Sequence, residues 1–307
     1  MEERSGASAR LGRYPAARHV VVHLSDTHLL AGGALLGGRA DTVAALAQAV
    51  RQLERLGTGI DAIVVTGDIA DLGEPDAYAR ARAALEPLAA SSGAELVWVM
   101  GNHDEREAFR AGLLDEAGAG DEPVHRVVDR DGLRIISFDV SVPGWHHGAV
   151  DDAAAAWLST VLAEPAPNGS ILALHHAPIS TPLAVMDVLE LQGQDLLAEA
   201  LAGSDVRLIL GGHLHYPTNG VFAGIPVAVA GATAYTMDLS APPRELVGID
   251  GGRSFSLVHL FDEGATTSVV PVSDARVVSN LNAEFLAELE RLDRAGRLER
   301  FSRKPGS

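Results

Sequence analysis

Apolar residues along this chain fall into two alternating patterns. Runs of strand length occur at 19–24, 62–66, 95–100, 133–139, 171–174, 207–210, 225–230, 256–261 and 267–271, many rich in Val and Ile and bounded by Gly, Asp or Asn. Their near-continuous apolarity predicts strands covered on both faces. Between the earlier runs the spacing becomes that of a helix. Residues 42–56 place Val43, Leu46, Val50 and Leu53 on one stripe. A second helix begins at Pro75, which suits a first turn, and turns Tyr78, Ala81, Leu85 and Leu88 inward; Pro87 predicts a kink or an end. Further helices are expected at 105–114, 153–162 and 194–202, and beyond residue 220 the pattern is strand-rich. The order predicts an α/β chain with two packed sheets flanked by helices.

Residues 274–307 shift to a charged, helix-like composition with Leu281, Phe285, Leu289 and Leu292 on one stripe. This stripe docks either on its own subunit or on a second copy. The expected division is an N-terminal extension at 1–18, a main domain at 19–273 and a helical tail at 274–307. With 307 residues and 47% hydrophobic side chains the chain suffices for one large core or for two domains. No apolar run is long enough to span a bilayer, and Met1 to Arg18 is mixed and charged, so the expected location is cytoplasmic. The absence of cysteine excludes disulfides and thiolate zinc sites, leaving imidazole, carboxylate and amide as ligands. A formal net charge of −17 opposes binding to a nucleic-acid polymer and does not attract small anions. Phosphate chemistry here needs a strong local positive charge, which bound metal ions supply.

Five short blocks carry the candidate chemistry: Asp26-Thr27-His28, Gly67-Asp68, Gly101-Asn102-His103-Asp104, His175-His176 and Gly211-Gly212-His213-Leu214-His215. Residues two apart on an extended segment point the same way, so Asp26 with His28, and His213 with His215, form forks able to grip an ion. The Asp68 carboxylate can bridge two cations or cap a turn. Asn102 offers a neutral carbonyl oxygen beside a glycine that permits a sharp turn, or forms an ordinary Gly-Asn turn. His175 is a ligand or a hydrogen-bonded structural residue. No Gly-x-Ser-x-Gly block or cysteine supplies a protein nucleophile.

In this order the blocks resemble those of the calcineurin-like metallophosphoesterase family. The resemblance implies a four-layer αββα sandwich, two mixed β-sheets flanked by helices, and two metal ions. It implies one ion held by Asp26, His28, Asp68 and His215 and the other by Asp68, Asn102, His175 and His213, with Asp68 shared and His175 preferred over His176. Such oxygen-plus-imidazole shells suit Fe, Mn, Zn or Co better than Mg or Ca, and the shell with a second carboxylate is the better place for iron. Two dications against two aspartates leave a net positive charge that a hydroxide and a diester monoanion would neutralise. By family role His103 stabilises the phosphoryl group or protonates the leaving oxygen, and Asp104 is expected to orient it. The loop Gly144-Trp145-His146-His147-Gly148 looks like a substrate-side loop, or is a surface turn, with His146 the candidate contact alongside Asn102 and His103.

The phosphoprotein-phosphatase branch of the family carries arginines where this chain has Leu72 and Met100. An apolar side chain cannot clamp a dianionic monoester, which favours a diester. The stretches 67–78, 95–104, 141–148 and 171–216 look like the class III cyclic nucleotide phosphodiesterases, particularly the mycobacterial type, within a resemblance covering roughly 20–272. It implies hydrolysis of 3′,5′-cAMP or 2′,3′-cyclic nucleotides to nucleoside monophosphates, and a homodimer. The glycerophosphodiesterase group shares the same blocks. A non-catalytic scaffold is disfavoured because all seven ligand positions are filled. Tyr216, Tyr235 and His176 either border the pocket or are ordinary packing.

Overall fold

The computed structural model describes residues 10–304 apart from 58, 117 and 119; residues 1–9 of the expected N-terminal extension and the last three of the tail lie outside the described residues. In chain order the elements are β1 (His19–Leu24), α1 (Thr42–Glu54), β2 (Ala62–Thr66), α2 (Pro75–Ser92), β3 (Glu95–Val99), α3 (Arg106–Leu113), β4 (Arg126–Arg130) and β5 (Leu133–Ser137). Next come β6 (Gly148–Ala149), α4 (Asp152–Val161), β7 (Ser170–His176), β8 (Leu191–Gln192), α5 (Gln194–Leu201), β9 (Val206–Gly212), β10 (Thr218–Phe222) and β11 (Ile225–Val229). The last are β12 (Thr236–Met237), β13 (Gly248–Ile249), β14 (Ser254–Phe261), β15 (Gly264–Pro271), α6 (Ala283–Glu290) and α7 (Arg294–Arg297).

Two mixed sheets form, in the orders β15-β14-β1-β2-β3 and β10-β11-β9-β7-β5-β4. In the first, β1, β2 and β3 run parallel; in the second, β5, β7, β9 and β11 do. The fully apolar strands sit centrally because both their faces are covered. Val21, Val64 and Val99 of the first sheet meet Ile135, Ile171 and Leu210 of the second in one buried cluster between the sheets. On the outer side of the first sheet Leu46, Leu53, Tyr78, Leu85 and Phe109 from α1, α2 and α3 close a second cluster. Leu158, Leu197 and Leu201 from α4 and α5 close a third over the other sheet. The layering is α, β, β, α, the expected sandwich.

Within the two main sheets two strands, β4 and β10, escape the sequence pattern, as do the two-residue strands β6, β8, β12 and β13. Strands β4 and β10 each lie at an edge of the second sheet and alternate half-buried and exposed positions, so neither shows an apolar run. Pro87 neither ends nor limits its helix: α2 continues to Ser92. Pro87 and Ala83, whose carbonyl the missing N–H leaves without an intrahelical donor, both lie on the exposed face, where water reaches that carbonyl. In the tail, Leu289 of α6 is buried, whereas Leu281 precedes the helix and is exposed. No helix among the described residues is long and apolar enough to cross a membrane.

Because Pro87 interrupts an otherwise regular exposed face, Pro87→Ala is expected to stabilise the protein by about 1–2 kcal/mol, the proline cost reduced by the added freedom of the unfolded chain. Denaturant unfolding reads this directly, and an unchanged or lower midpoint would count against it.

Candidate metal centre

All five blocks lie at or just beyond strand ends, His175-His176 closing β7 itself, and the backbone leaves several of those strands in an unusual way. Asp26, His28, Asp68, His213 and His215 have φ of 52°, 42°, 50°, 69° and 58°. Left-handed backbone costs a non-glycine residue roughly 1–2 kcal/mol. The strand alternation expected to align Asp26 with His28 is therefore not what aligns them: β1 ends at Leu24 and β9 at Gly212, and both forks lie in turns beyond. Interlocking backbone bonds hold these turns. The N–H groups of Asp26 and His28 donate to the carbonyls of Gly67 and Asp68 (3.1 and 2.9 Å), and that of Ala234 donates to the Asp26 carbonyl (3.2 Å).

The side chains converge. Asp26, His28, Asp68 and His215 are all buried, with one candidate ligand atom from each within 4.8 Å of the others; Asp68, His175 and His213 form a second such group sharing Asp68. His28 Nε2 lies 3.0 Å from His215 Nε2 and 3.6 Å from Asp68 Oδ2. His215 Nε2 is 3.2 Å from Asp26 Oδ1. His175 Nε2 lies 3.2 Å from Asp68 Oδ2 and 3.1 Å from Asn102 Oδ1, which brings the asparagine into the second group.

The donor set fits cations. Two imidazole nitrogens face each other beside carboxylates, and both His213 Nε2 and His215 Nδ1 are buried without a hydrogen-bond partner. On His175 and His28 the opposite ring nitrogen is already committed. His175 Nδ1 donates to the Thr66 carbonyl (2.7 Å), and His28 Nδ1 donates to Asp71 Oδ1 (2.9 Å), so in the neutral ring of each the lone pair falls on Nε2. A break in the β7–β9 register between Ala173 and His176 accompanies the turn of His175 toward the first sheet.

Electrostatics sorts the imidazoles. Burial opposes charge on His175, but the Asp68 carboxylate, by its charge and its contact, with Asp26 behind it, raises that imidazole to about 9. Burial, then the His176 and His175 rings, hold His213 well below its ordinary value. Burial, then His175, brings His176 down to about 3. Burial works against ionisation of Asp26, yet His215 and His175 bring it to about 2.

His103 lies outside these two groups but forms a third with His28 and Asp71, their candidate ligand atoms within 4.8 Å of one another. Its ring packs edge-on to His28 with centroids 4.8 Å apart, and its backbone N–H donates to Asp68 Oδ1 (2.9 Å). The expected partnership with Asp104 does not form. The Asp104 carboxylate is buried and accepts the N–H groups of Ile69, Ala70 and Gly101 (3.3, 3.0 and 3.0 Å), because a residue following His103 along this turn faces the opposite loop. Asp71 takes the expected place: its carbonyl accepts from His103 Nδ1 (2.8 Å) and its carboxylate lies 3.6 Å away. Sequence reading missed this residue, although it occupies the second acidic position of Gly67-Asp68-Ile69-Ala70-Asp71. His146 reaches the same rim, with Nδ1 3.0 Å from Asn102 Nδ2.

The group opens into a cavity of about 560 Å³ whose lining includes Asn102, His103, His146 and Tyr235. Tyr216 instead pairs its hydroxyl with Thr181 (2.7 Å) and packs in the core beneath the second sheet, and His176 is buried with Nε2 donating to the His146 carbonyl (3.0 Å).

The His175 value sets a minimum proton count. The metal-free fold holds a proton on His175 up to about 9, so that contribution to stability is complete below the ordinary value of 6.5 and is lost as pH rises through about 9. Metal loading needs the neutral ring. Titrating metal-free protein with Mn²⁺ near neutral pH should release at least about one proton, seen calorimetrically as a heat that varies with the ionisation enthalpy of the buffer. A buffer-independent heat would contradict the assignment.

Known proteins resemble this chain in sequence and in fold. Residues 19–217 match the calcineurin-like phosphoesterase family. A protein of Mycobacterium tuberculosis named a cAMP/cGMP dual specificity phosphodiesterase is 48% identical over 88% of this chain and 84% of its own. A glycerophosphodiester phosphodiesterase of Enterobacter lignolyticus is 30% identical over 70% of this chain and 78% of its own. Purple acid phosphatase from yellow lupin, at 14% identity, shares the fold with a TM-score of 0.55 over 86% of this chain and 53% of that one. By the family match and by this level of identity, the chain belongs to the calcineurin-like phosphoesterase family.

Proposed function

We propose that this protein is a metal-dependent phosphodiesterase that hydrolyses cyclic nucleotides, 3′,5′-cAMP or 2′,3′-cyclic forms, to nucleoside monophosphates. The observation that carries the reading is the convergence of six donors, five of them buried, on the buried Asp68 carboxylate at the mouth of a 560 Å³ cavity. The 48% relative named for cAMP and cGMP supports the nucleotide part. In this reading Asp26, His28, Asp68 and His215 hold one ion and Asp68, Asn102, His175 and His213 the other, drawn from Fe, Mn, Zn and Co. When bound, such ions polarise phosphoryl oxygens and acidify water near neutral pH.

The chain's own residues do the rest. Asp71 fixes the His28 tautomer and anchors His103 through Nδ1, leaving His103 Nε2 as the ring nitrogen available to the substrate. His103 is partly exposed, its side chain retaining 30% of its accessible surface, as a group that hands a proton to a leaving oxygen must be. His146, bonded to Asn102, borders the same opening and is a substrate contact. Thr66 holds His175 in register with Asn102. The 30% identity to a glycerophosphodiesterase supports a second reading, hydrolysis of glycerophosphodiesters at the same centre.

Initial rates of the metal-loaded protein on 3′,5′-cAMP, 2′,3′-cAMP, a glycerophosphodiester and a phosphate monoester separate these readings. A cyclic nucleotide should give the highest kcat/KM, and monoester preference would overturn the diester assignment. His103→Ala should keep its metal content while losing roughly 10²-fold or more in kcat. Undiminished turnover in that variant would remove His103 from the mechanism.

A further inference from the structure

Much of the cavity wall has nothing to offer a phosphate. Beside the cluster stand Tyr235, Met237, Leu246, Ile249, Met186 and Leu189. Four of them belong to one excursion between β11 and β14, where β12 and β13 pair antiparallel as Thr236 with Ile249 and Met237 with Gly248. Tyr235 roots this ribbon to the cluster. Its ring lies 4.4 Å from that of His215, and a Cβ on Gly248 would stand 2.7 Å from its Cε2, so the ring is pinned between an imidazole and bare backbone. Met186, Leu189 and Met237 are seated on the apolar core beneath the second sheet and give the wall a fixed floor.

The rim is different. Leu246 and Ile249 are 42% and 41% exposed, yet they face the cavity that holds the cluster. Large apolar side chains kept in water beside a polar centre mark a surface that a ligand covers. A phosphate does not need them, and a glycerol or ethanolamine group is too polar to gain from them. A flat heteroaromatic ring gains from such a wall, and the cavity volume lies in the range that accepts a drug-sized ligand.

We propose that the β12–β13 ribbon, with the Met186–Leu189 floor, is the seat of the substrate's nucleobase, and that Leu246 and Ile249 determine preference for nucleoside diesters over base-free ones. This inference rests on the cyclic nucleotide reading above and names the part of the site that reads the base. Covering the two rim side chains contributes to ground state and transition state alike, so their loss acts on KM and leaves kcat alone.

The test is Leu246→Ser with Ile249→Ser in one chain. Both positions are substantially exposed, so the double variant should unfold at the wild-type temperature. KM for 3′,5′-cAMP should rise roughly tenfold. The inhibition constant of AMP should rise with it, and that of inorganic phosphate, which has no base, should not move. An unchanged KM, or equal weakening of AMP and phosphate, would overturn the seat. A changed oligomeric state with both ligands weakened alike would make the rim a contact between copies and overturn it too. Should the wild type cleave glycerophosphoethanolamine but no cyclic nucleotide, the functional reading fails separately, and the comparison of AMP with phosphate still tests the wall.

Discussion

The arrangement depends on what the chain does immediately after its buried strands end. Asp26, His28, Asp68, His213 and His215 reverse the backbone through the left-handed region without being glycine. At roughly 1–2 kcal/mol each the strain is large beside a typical net stability of about 5–15 kcal/mol. It persists because the turns over-determine one another. His213 N–H donates to the Asp26 carboxylate (3.2 Å to each oxygen), tying the second sheet to the first. Gly67, Gly101 and Gly212 let the turns interlock: a Cβ on Gly67 would stand 2.5 Å from His175 Nδ1, and one on Gly101 or Gly212 would collide with Asp68 or Ser25. The acceptors therefore reach a common point with little freedom to relax away from it.

Two aspartates that bind no cation in this reading divide the remaining work. Asp104 ties the Gly67 and Gly101 loops together through three backbone N–H groups. Burial and then the Asp68 charge raise it to about 7, against the pull of those donors. Its partners are main-chain groups of the loops that carry Asp68 and Asn102, so its influence on the centre runs through their spacing. Asp71 serves side chains instead. It is only half-buried, and it touches His28 with its carboxylate and His103 with its carbonyl. One residue thus couples the tautomer of a candidate ligand to the orientation of a candidate acid.

Sequence pattern reveals what repeats locally and loses what depends on contacts across the fold. The limits of β1 and β2 are readable to the residue because both faces of these strands are dry and the apolar run stops where the sheet stops. Strands β4 and β10 are not, because an edge strand wets alternate side chains. The seven donors are legible as blocks, since each sits next to a strand end. Their alignment is not, because it arises from left-handed turns and not from the alternation of an extended strand. Asp104 and Asp71 exchange expected roles for the same reason: adjacency in sequence put Asp104 beside His103, whereas the fold puts Asp71 there. Tyr235 and the ribbon behind it follow no motif, and only the cavity gives them meaning.

The charge of the substrate follows from where two side chains point. Leu72 and Met100 stand where related phosphatases carry arginines, but they are not equivalent. Leu72 is 67% exposed and Met100 is 1% exposed within the core beneath the helices, and neither lines the cavity. An arginine at position 100 would bring a cation into an apolar cluster, at the cost of its desolvation. Neither side chain therefore offers a phosphate clamp at the cavity. Among the described residues lining the cavity only Arg39 is permanently cationic. In a chain of net charge −17 an anion is then held chiefly by whatever the cluster binds. That balance suits a diester carrying one charge and leaves the second charge of a monoester without a counterpart.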